Sequence, residues 1–270
     1  MHRAKRNLGV AATTGRYVAF IDSDAWPAPG WLPNAIRLLD SDPELGAVGG
    51  PNMSPPEEVG WERAVGLAHR SILVDGWWRF RKDPDARARD VSALPTCNLV
   101  VRRSTFEALG GMNEALFTAE DTEFCARLVR SGWRIRFSPE VAVFHKDRDL
   151  GSFAIQRYTF GVAVVPLVRR GQPPDTRYLL VSAVLVVFVV FLLSAPIGLV
   201  SGRWARLWRR AVACYVSVLA AESVRLSGGP AEVPRVFTTL AIGNIGPGLG
   251  ALMRALRLSP ELQGRYRNDQ

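Results

Sequence analysis

An apolar run that ends in two closely spaced carboxylates constrains the fold of this chain more than any other feature. The run covers residues 17–21, is rich in β-branched and aromatic side chains, and predicts a short buried strand. Asp22 and Asp24 follow it directly. Two carboxylates beyond a strand end can bind one divalent cation together, and hard oxygen ligands suit Mg²⁺ or Mn²⁺. A solvated turn would show the same pattern, so the motif needs its context.

Short apolar runs alternate with helical patterns from residue 5 to residue 150. This alternation predicts an α/β fold in which helices cover a sheet. We expect strands at residues 17–21, 47–50, 94–101, 133–137 and 141–144. We expect helices at residues 33–39, 59–74, 103–109 and 120–130. Residues 75–92, which hold two tryptophans and then a charged stretch, are predicted to form a mobile loop.

The charge balance narrows the class of partner. The chain of 270 residues has a formal net charge of +9, with 34 lysines and arginines against 25 acidic residues. Nucleic acid is disfavoured as a partner, because the arginines are scattered among acids and the sequence shows no aromatic-basic motif of an RNA-binding module. An anionic membrane surface or an anionic small molecule fits this charge better. The three cysteines are widely spaced without a C-x-x-C pair, and they indicate neither a disulfide framework nor a zinc site.

The composition changes near residue 179, and residues 179–200 contain no charged side chain. A run of this length can cross the roughly 30 Å hydrocarbon layer of a bilayer, although a buried core helix gives the same pattern. Weaker apolar segments follow at about 207–224 and 236–256. We therefore predict a membrane region over residues 171–270, with two or three helices. The arginines on the two sides of the first segment nearly balance, so their number gives no orientation.

Two blocks of residues resemble the inverting family 2 glycosyltransferases. The first block contains Arg6-Asn7-Leu8-Gly9, the predicted strand, Asp22-Ser23-Asp24 and Pro27-Ala28-Pro29-Gly30-Trp31-Leu32. The second block runs from Gly110-Gly111-Met112-Asn113-Glu114 through Glu120-Asp121 to Gly132-Trp133. The blocks follow one another in the order that the family shows, and the resemblance covers residues 1–170. It implies an A-type nucleotide-diphospho-sugar transferase fold in that region, followed by transmembrane α-helices.

The resemblance assigns roles to individual residues. It implies that Asp22 and Asp24 hold a Mg²⁺ or Mn²⁺ ion that binds the diphosphate of a nucleotide-sugar donor. Arg6 and Asn7 are implied to lie on the donor side of the site. Asp121 is the implied catalytic base, and its predicted place in the first turn of a helix favours an ionised carboxylate.

Five further residues are candidates on weaker grounds. His145 follows a predicted strand, where the resemblance implies a third metal ligand, but a surface histidine would fit the sequence equally well. Glu120 and Asn98 are predicted to contact substrate. Trp78 could stack on an acceptor sugar or pack in the core. Arg157 could contact a diphosphate or lipid head groups, and its surroundings do not match the Q-x-x-R-W motif of polymer-forming relatives, which disfavours a processive synthase.

The first half of the family's domain, which carries the opening strands and the loop that binds base and ribose, is expected before Arg6 and is not found there. The sequence therefore predicts a fragment, a misplaced start or dependence on a partner chain. The expected function is inverting sugar transfer from a nucleotide donor to a lipid-linked or cell-envelope acceptor, at the cell membrane, with the catalytic part in the cytoplasm. The alternatives are a non-catalytic membrane subunit or inactive fragment, and a metal-dependent phosphotransferase or hydrolase that uses the same carboxylates.

Overall fold

The computed structural model describes residues 2–114, 120–169, 187–191, 193, 194, 196 and 202–258. The chain divides into two compact units. The first unit consists of Met1–Glu58 and Trp77–Asp147, and the second of Val59–Gly76 and Arg148–Gln270. This division differs from the predicted boundary at residue 170. Residues 59–76 and the helix that follows residue 147 share a hydrophobic core with the C-terminal helices, and they therefore belong to the second unit.

Two small sheets form the centre of the first unit. Its strands are β1 (Tyr17–Ile21), β2 (Ala25–Pro27), β3 (Leu45–Gly49), β4 (Asn52–Met53), β5 (Arg89–Asp90), β6 (Asn98–Arg102), β7 (Arg134–Phe137) and β8 (Val143–His145). The larger sheet has the order β1-β6-β3-β7-β5, with β3 parallel to β7 and the other neighbours antiparallel. The smaller sheet has the order β2-β8-β4. The chain passes from one sheet to the other in a tight turn, where Ala25 N donates to Asp22 O at 3.1 Å.

Helices bury both faces of the larger sheet. In chain order the helices up to residue 130 are α1 (His2–Ala11), α2 (Trp31–Ser41), α3 (Gly60–His69), α4 (Ile72–Asp75), a 3₁₀ helix (Gly76–Lys82), α5 (Arg103–Ala108) and α6 (Glu120–Arg130). Side chains of β6 alternate between the two faces, as the pleat of a strand requires. Leu99 and Val101 lie in a core with Phe106 of α5 and Phe124 of α6, whereas Val100 lies in a second core with α2.

The structure confirms most of the elements predicted for the first unit. The strand at residues 17–21 and the helices at 33–39, 103–109 and 120–130 are present, with small shifts at their ends. The strand predicted at residues 94–101 begins only at Asn98. Helix α1 contains the start of the first family-like block, residues 6–9, and was not predicted, because most of its residues are polar.

The prediction of a loop at residues 75–92 is wrong. The segment forms the 3₁₀ helix and the edge strand β5, which pairs with β7. Phe80 is buried, and its ring meets the Phe137 ring edge-on with the centroids 4.8 Å apart. Ala86 is buried in the same core. The charged residues around these two anchors gave the segment a loop-like composition, although its apolar side chains fix it to the sheet.

The described part of the second unit contains helices that pack closely through glycines. It contains α3, α4, α7 (Leu150–Arg169), α8 (Gly202–Leu226) and α9 (Val233–Ala255). A Cβ on Gly161 of α7 would lie 1.9 Å from Pro247 O, and one on Gly250 of α9 would lie 2.0 Å from Tyr158 O. Glycine is therefore required at both positions, because the two helix backbones touch there.

Among the described residues, one helix is long and apolar enough to cross a membrane, and this is α9. It corresponds to the predicted segment 236–256. The predicted segment 207–224 lies within α8, which carries too many charged residues to meet the same standard. The predicted segment 179–200 lies largely outside the described residues.

Candidate active site

The pairing of β1 with β6 places a carboxylate beside a thiol. Ile21 of β1 lies opposite Asn98 of β6 in an antiparallel register. Asp22 follows Ile21, and Cys97 precedes Asn98, so these two residues come next to each other just beyond the paired part of the ladder. The core that buries both strands holds this end of the sheet in place.

The smaller sheet brings a histidine to the same end. Ala25 of β2 lies opposite His145 of β8, and Lys146 N donates to Asp24 O at 3.1 Å. His145 Nε2 lies 3.6 Å from Asp24 Oδ1. The turn between β1 and β2 therefore presents Asp22 on one side and Asp24 on the other, and the histidine stands next to both.

These residues form a group that fits a metal ion. One ligand atom each from Asp22, Cys97 and His145 lie within 4.8 Å of one another. Carboxylate, imidazole and thiolate are all metal-binding groups. The Asp22 side chain is 39% exposed, which leaves the site open to substrate oxygens. Of the predicted ligands, Asp22 and His145 belong to this group directly, whereas Asp24 contacts His145 from outside it.

Arg6 joins the strand-end carboxylate to the start of α6. Its Nη2 lies 3.2 Å from Asp22 Oδ1, and its Nη1 lies 2.5 Å from Glu120 Oε1. The Arg6 side chain is only 20% exposed, so both ion pairs are partly shielded from water. A guanidinium between two carboxylates offsets their repulsion and fixes their spacing. The structure thus brings together three residues that the sequence marked separately.

Asn7, predicted on the donor side, holds the turn that precedes α6. Its Nδ2 donates to Met112 O at 2.9 Å and to Glu114 Oε1 at 2.8 Å, and its Oδ1 accepts from Met112 N at 2.9 Å. Gly111 has φ +72°, and a Cβ there would lie 2.8 Å from Asn7 Oδ1. Glycine is needed at this position because the backbone is left-handed and the Asn7 amide packs against it. Asn7 therefore fixes the backbone of residues 111–114.

Asp121, the predicted base, lies in the first turn of α6. Its Oδ1 accepts a hydrogen bond from Thr122 N at 2.6 Å. Burial raises the pKa of Asp121 above its ordinary value, the Glu120 charge adds to the increase, and the Thr122 hydrogen bond and the Arg81 charge oppose it. A carboxylate with a raised pKa is a better proton acceptor once it is ionised, and this suits a general base.

The Cys97 thiol is buried beside Asp22. Burial raises the pKa of Cys97 to about 12, and the charges of Asp22 and Asp121 both add to the increase.

The sequence analysis missed two residues of this site, Cys97 and Arg81. The Arg81 guanidinium lies over the Trp78 ring, 4.3 Å from its centroid, and its Nη2 donates to Ala93 O at 3.1 Å. Its Nε is buried without a hydrogen-bond partner in the described part of the chain. The Arg81 charge lowers the pKa of both Cys97 and Asp121. Neither residue carries a local sequence signal, because their role depends on strand pairing and on the order of residues 76–90.

Asn98, predicted to contact substrate, is fully buried. Its Oδ1 accepts from Trp31 Nε1 at 2.8 Å, and its Nδ2 donates to Val141 O at 2.8 Å and to Pro51 O at 3.3 Å. With no exposed surface, Asn98 cannot reach a substrate in this structure. Its amide instead ties together four chain segments beneath the site.

Trp78 and Arg157 complete the set of predicted residues. Trp78 is half-buried and packs against the larger core, with its ring centroid 6.0 Å from that of Phe80, which agrees with the packing alternative. Arg157 belongs to the second unit and is 7% exposed, which leaves little of its surface for either predicted contact, a diphosphate or lipid head groups. Its guanidinium donates to Val74 O at 2.8 Å and lies 3.3 Å from Asp75 Oδ1, and these contacts account for its burial among the helices.

Comparisons with known proteins place the chain in a family. The family model described as "Glycosyl transferase family group 2" matches residues 17–223. The pre-mycofactocin glycosyltransferase of Mycobacterium tuberculosis is 29% identical over 228 residues, which cover 80% of this chain and 47% of that protein. An O-antigen chain rhamnosyltransferase of Salmonella typhimurium is 25% identical over 158 residues, which cover 58% of this chain and 50% of that protein. The chain thus spans about half the length of these curated relatives.

A solved structure extends the comparison to the fold. A mannosyltransferase from Pyrobaculum calidifontis, in complex with GDP-Man and Mn²⁺, matches 95% of this chain and 67% of its own length, with a TM-score of 0.56 and 18% identity. At this identity the likeness shows the fold alone, and it confirms a mixed α/β fold of the glycosyltransferase kind. Because the family model covers most of the sequence, including both strand-end acids and the start of α6, the chain belongs to glycosyl transferase family group 2.

Proposed function

We propose that this chain carries the catalytic part of an enzyme that moves a sugar from a nucleotide-diphosphate donor to an acceptor hydroxyl, with inversion. The observation that carries the proposal is the pair of ion pairs that Arg6 makes with Asp22 and with Glu120, the residue directly before Asp121. These contacts hold the strand end and the start of α6 together. Sugar transfer needs a metal-binding carboxylate and a base at one place, because both substrates must be held in line.

Asp22, Asp24 and His145 are proposed to hold the divalent cation, Mg²⁺ or Mn²⁺. When bound, such an ion neutralises the charge that develops on the leaving diphosphate. Asp22 and His145 reach the site from the ends of the two sheets, and Asp24, 3.6 Å from His145, fixes the orientation of that ring. Arg81 supplies a further positive charge for the donor phosphates, since its Nε has no hydrogen-bond partner among the described residues.

Asp121 is proposed to take the proton of the acceptor hydroxyl as that oxygen attacks the anomeric carbon. The diphosphate leaves with the electron pair of the broken carbon–oxygen bond. With one base and no nucleophile on the enzyme, the attack comes from the face opposite the leaving group and inverts the anomeric centre, as in inverting glycosidases. Glu120, paired with Arg6, lies beside the base and is proposed to bind the sugar substrate.

The acceptor is proposed to be lipid-linked or part of the cell envelope. Helix α9 is apolar enough to cross a bilayer, and residues 179–200 contain no charged side chain. One of the relatives is an O-antigen chain rhamnosyltransferase. Since nucleotide sugars are made in the cytoplasm, we propose a protein held at the cell membrane by several helices with its catalytic unit on the cytoplasmic side.

Calorimetric titration of the full chain in detergent with GDP or UDP, with and without Mn²⁺, tests the donor site. The wild type should bind a nucleoside diphosphate only when Mn²⁺ is present. Asp22→Asn should weaken this binding by about tenfold or more, because even the loss of a residue that only supports a metal ligand lowers metal affinity by about tenfold. Asp40→Asn is the matched control, since Asp40 is an exposed carboxylate at the end of α2 that pairs with Arg16. Equal binding by the wild type and Asp22→Asn would contradict the proposal.

A further inference from the structure

Cys97 differs from the other cysteines in what surrounds its sulfur. Its Sγ belongs to the group of potential metal ligands with Asp22 and His145. Cys125 is equally buried, but its Sγ donates to Leu94 O at 3.6 Å within the core, and Cys214 is exposed. A thiol within 4.8 Å of a carboxylate and an imidazole has the surroundings of a potential metal ligand, which the other two thiols do not show among the described residues.

A second observation points to a ligand at this sulfur. Asn52 of β4 is 8% exposed, and its Nδ2 donates to Cys97 Sγ at 3.2 Å. Its Oδ1 is buried and has no hydrogen-bond partner in the described part of the chain. An amide that donates to a sulfur orients its lone pairs, as outer contacts do at metal centres. The unpaired Oδ1 can accept one further hydrogen bond next to this sulfur, because buried polar atoms are normally paired.

We propose that Cys97 is a ligand of the cation at this site, and that its sulfur makes the site prefer thiophilic ions, Zn²⁺ and Co²⁺, over Mn²⁺ and Mn²⁺ over Mg²⁺. The inference rests on the proposed function, since it concerns the same cation. Thiolates are soft ligands that favour transition metals, whereas Mg²⁺ favours carboxylate, carbonyl and water oxygens. On binding, the thiol proton is released to solvent as the metal–sulfur bond forms.

The geometry needs only a small adjustment. Metal bonds of about 2.0 Å to imidazole and about 2.3 Å to thiolate place neighbouring ligand atoms roughly 3.5 Å apart in a tetrahedral site. The three ligand atoms lie within 4.8 Å, so they must converge by roughly an ångström. The His145 and Asp22 side chains are 22% and 39% exposed and have room to turn, whereas the buried sulfur stays fixed.

Titration of the full chain with Co²⁺ tests the sulfur directly, because a thiolate bound to Co²⁺ gives a near-ultraviolet charge-transfer band that oxygen and nitrogen ligands do not give. The band should appear in the wild type and in the double variant Cys125→Ser/Cys214→Ser, in which Cys97 is the remaining cysteine. It should be absent from Cys97→Ser. The preference for Co²⁺ over Mg²⁺, measured by competition, should fall by about tenfold or more in Cys97→Ser. The double variant keeps the test valid even if Cys97→Ser fails to fold.

Absence of the band from the double variant, or its persistence in Cys97→Ser, would overturn the inference. Failure of Co²⁺ to bind at all, measured by elemental analysis after dialysis, would do the same. Measurement of Mn²⁺-dependent binding of GDP or UDP distinguishes failure of this inference from failure of the proposed function. If Mn²⁺-dependent nucleotide binding persists without a cobalt–sulfur band, the inference falls and the function stands. If the band appears without any nucleotide binding, the function falls and the ligand assignment stands.

Discussion

Replacement of Asn98 by alanine should destabilise the first unit strongly without altering any exposed side chain, because Asn98 is fully buried. In the native structure Asn98 accepts from Trp31 Nε1 and donates to the carbonyl oxygens of Val141 and Pro51. Pro51 O also accepts from Val143 N, so it keeps a partner after the substitution. The indole N–H of Trp31 and the Val141 carbonyl would lose their partners while they remain buried.

The expected cost follows from these two orphaned groups. Each buried polar group without a partner costs about 1–3 kcal/mol, so Asn98→Ala should lose about 2–6 kcal/mol of stability. This is a large part of the total stability of about 5–15 kcal/mol that is typical of a domain. Asn34→Ala is the matched control, because Asn34 makes one exposed hydrogen bond, to Glu140 O at 3.0 Å, and should lose only about 0.5–1 kcal/mol.

Hydrogen exchange of the full chain, followed by mass spectrometry, measures the opening of β1 and β6 separately from the helical unit. Exchange in these two strands should be much faster in Asn98→Ala than in Asn34→Ala or in the wild type. If the opening free energy of β1 and β6 in Asn98→Ala stays within about 0.5 kcal/mol of the wild type, the structural role of Asn98 is refuted and a substrate contact becomes the better account.

Three further predictions concern charge and backbone geometry. Arg81→Gln removes a positive charge that lowers the pKa of Asp121, so the acid limb of the pH–rate profile should move to higher pH, and an unmoved limb would contradict the assignment of the base. Burial raises the pKa of Glu58 to about 7, a hydrogen bond from the Asp147 backbone opposes the increase, and the Asp147 charge adds to it. The native state therefore binds this proton more tightly than the unfolded state does, and ionised Glu58 destabilises the fold. Thermal unfolding should therefore show Glu58→Gln more stable than the wild type at pH 8, with the advantage gone only by about pH 4, below the ordinary pKa of a glutamate, and an equal gain at both values would exclude this cause. Gly111→Ala should lower the unfolding temperature of the first unit, because the residue has φ +72° and a Cβ would lie 2.8 Å from Asn7 Oδ1, and an unchanged temperature would show that the turn can rearrange.

The parts of the fold that the sequence predicts are those with local signals. The apolar run predicts the strand at residues 17–21, and the acidic first turn helps to predict the helix at 120–130. The segment at 75–92 does not, because Phe80 and Ala86 are single apolar anchors in a charged stretch and their burial depends on β7, far along the chain.

The residues of the candidate site likewise divide into those with a local sequence signal and those without one. Asp22, Asp121 and His145 follow from motifs, and the structure brings their segments to one end of the sheets. Cys97 could not be found from its neighbours in sequence, because its nearness to Asp22 is a consequence of the register between β1 and β6. Asn98, by contrast, looked like a substrate contact because it lies at a strand end, and only its burial shows that the amide is used within the protein.

The central claim is that Asp121 removes the proton of the acceptor hydroxyl. Release of nucleoside diphosphate from a panel of nucleotide sugars, in the presence of Mn²⁺ and a membrane lipid extract, measures this step for the full chain in detergent. Asp121→Asn should slow the release by roughly 10²–10⁴-fold, the usual effect of a positioned general base, while Mn²⁺-dependent binding of the diphosphate stays unchanged. Glu120→Gln should have a smaller effect, since its carboxylate pairs with Arg6 and is not the proposed base. Near-normal release by Asp121→Asn, with intact binding, would contradict the account.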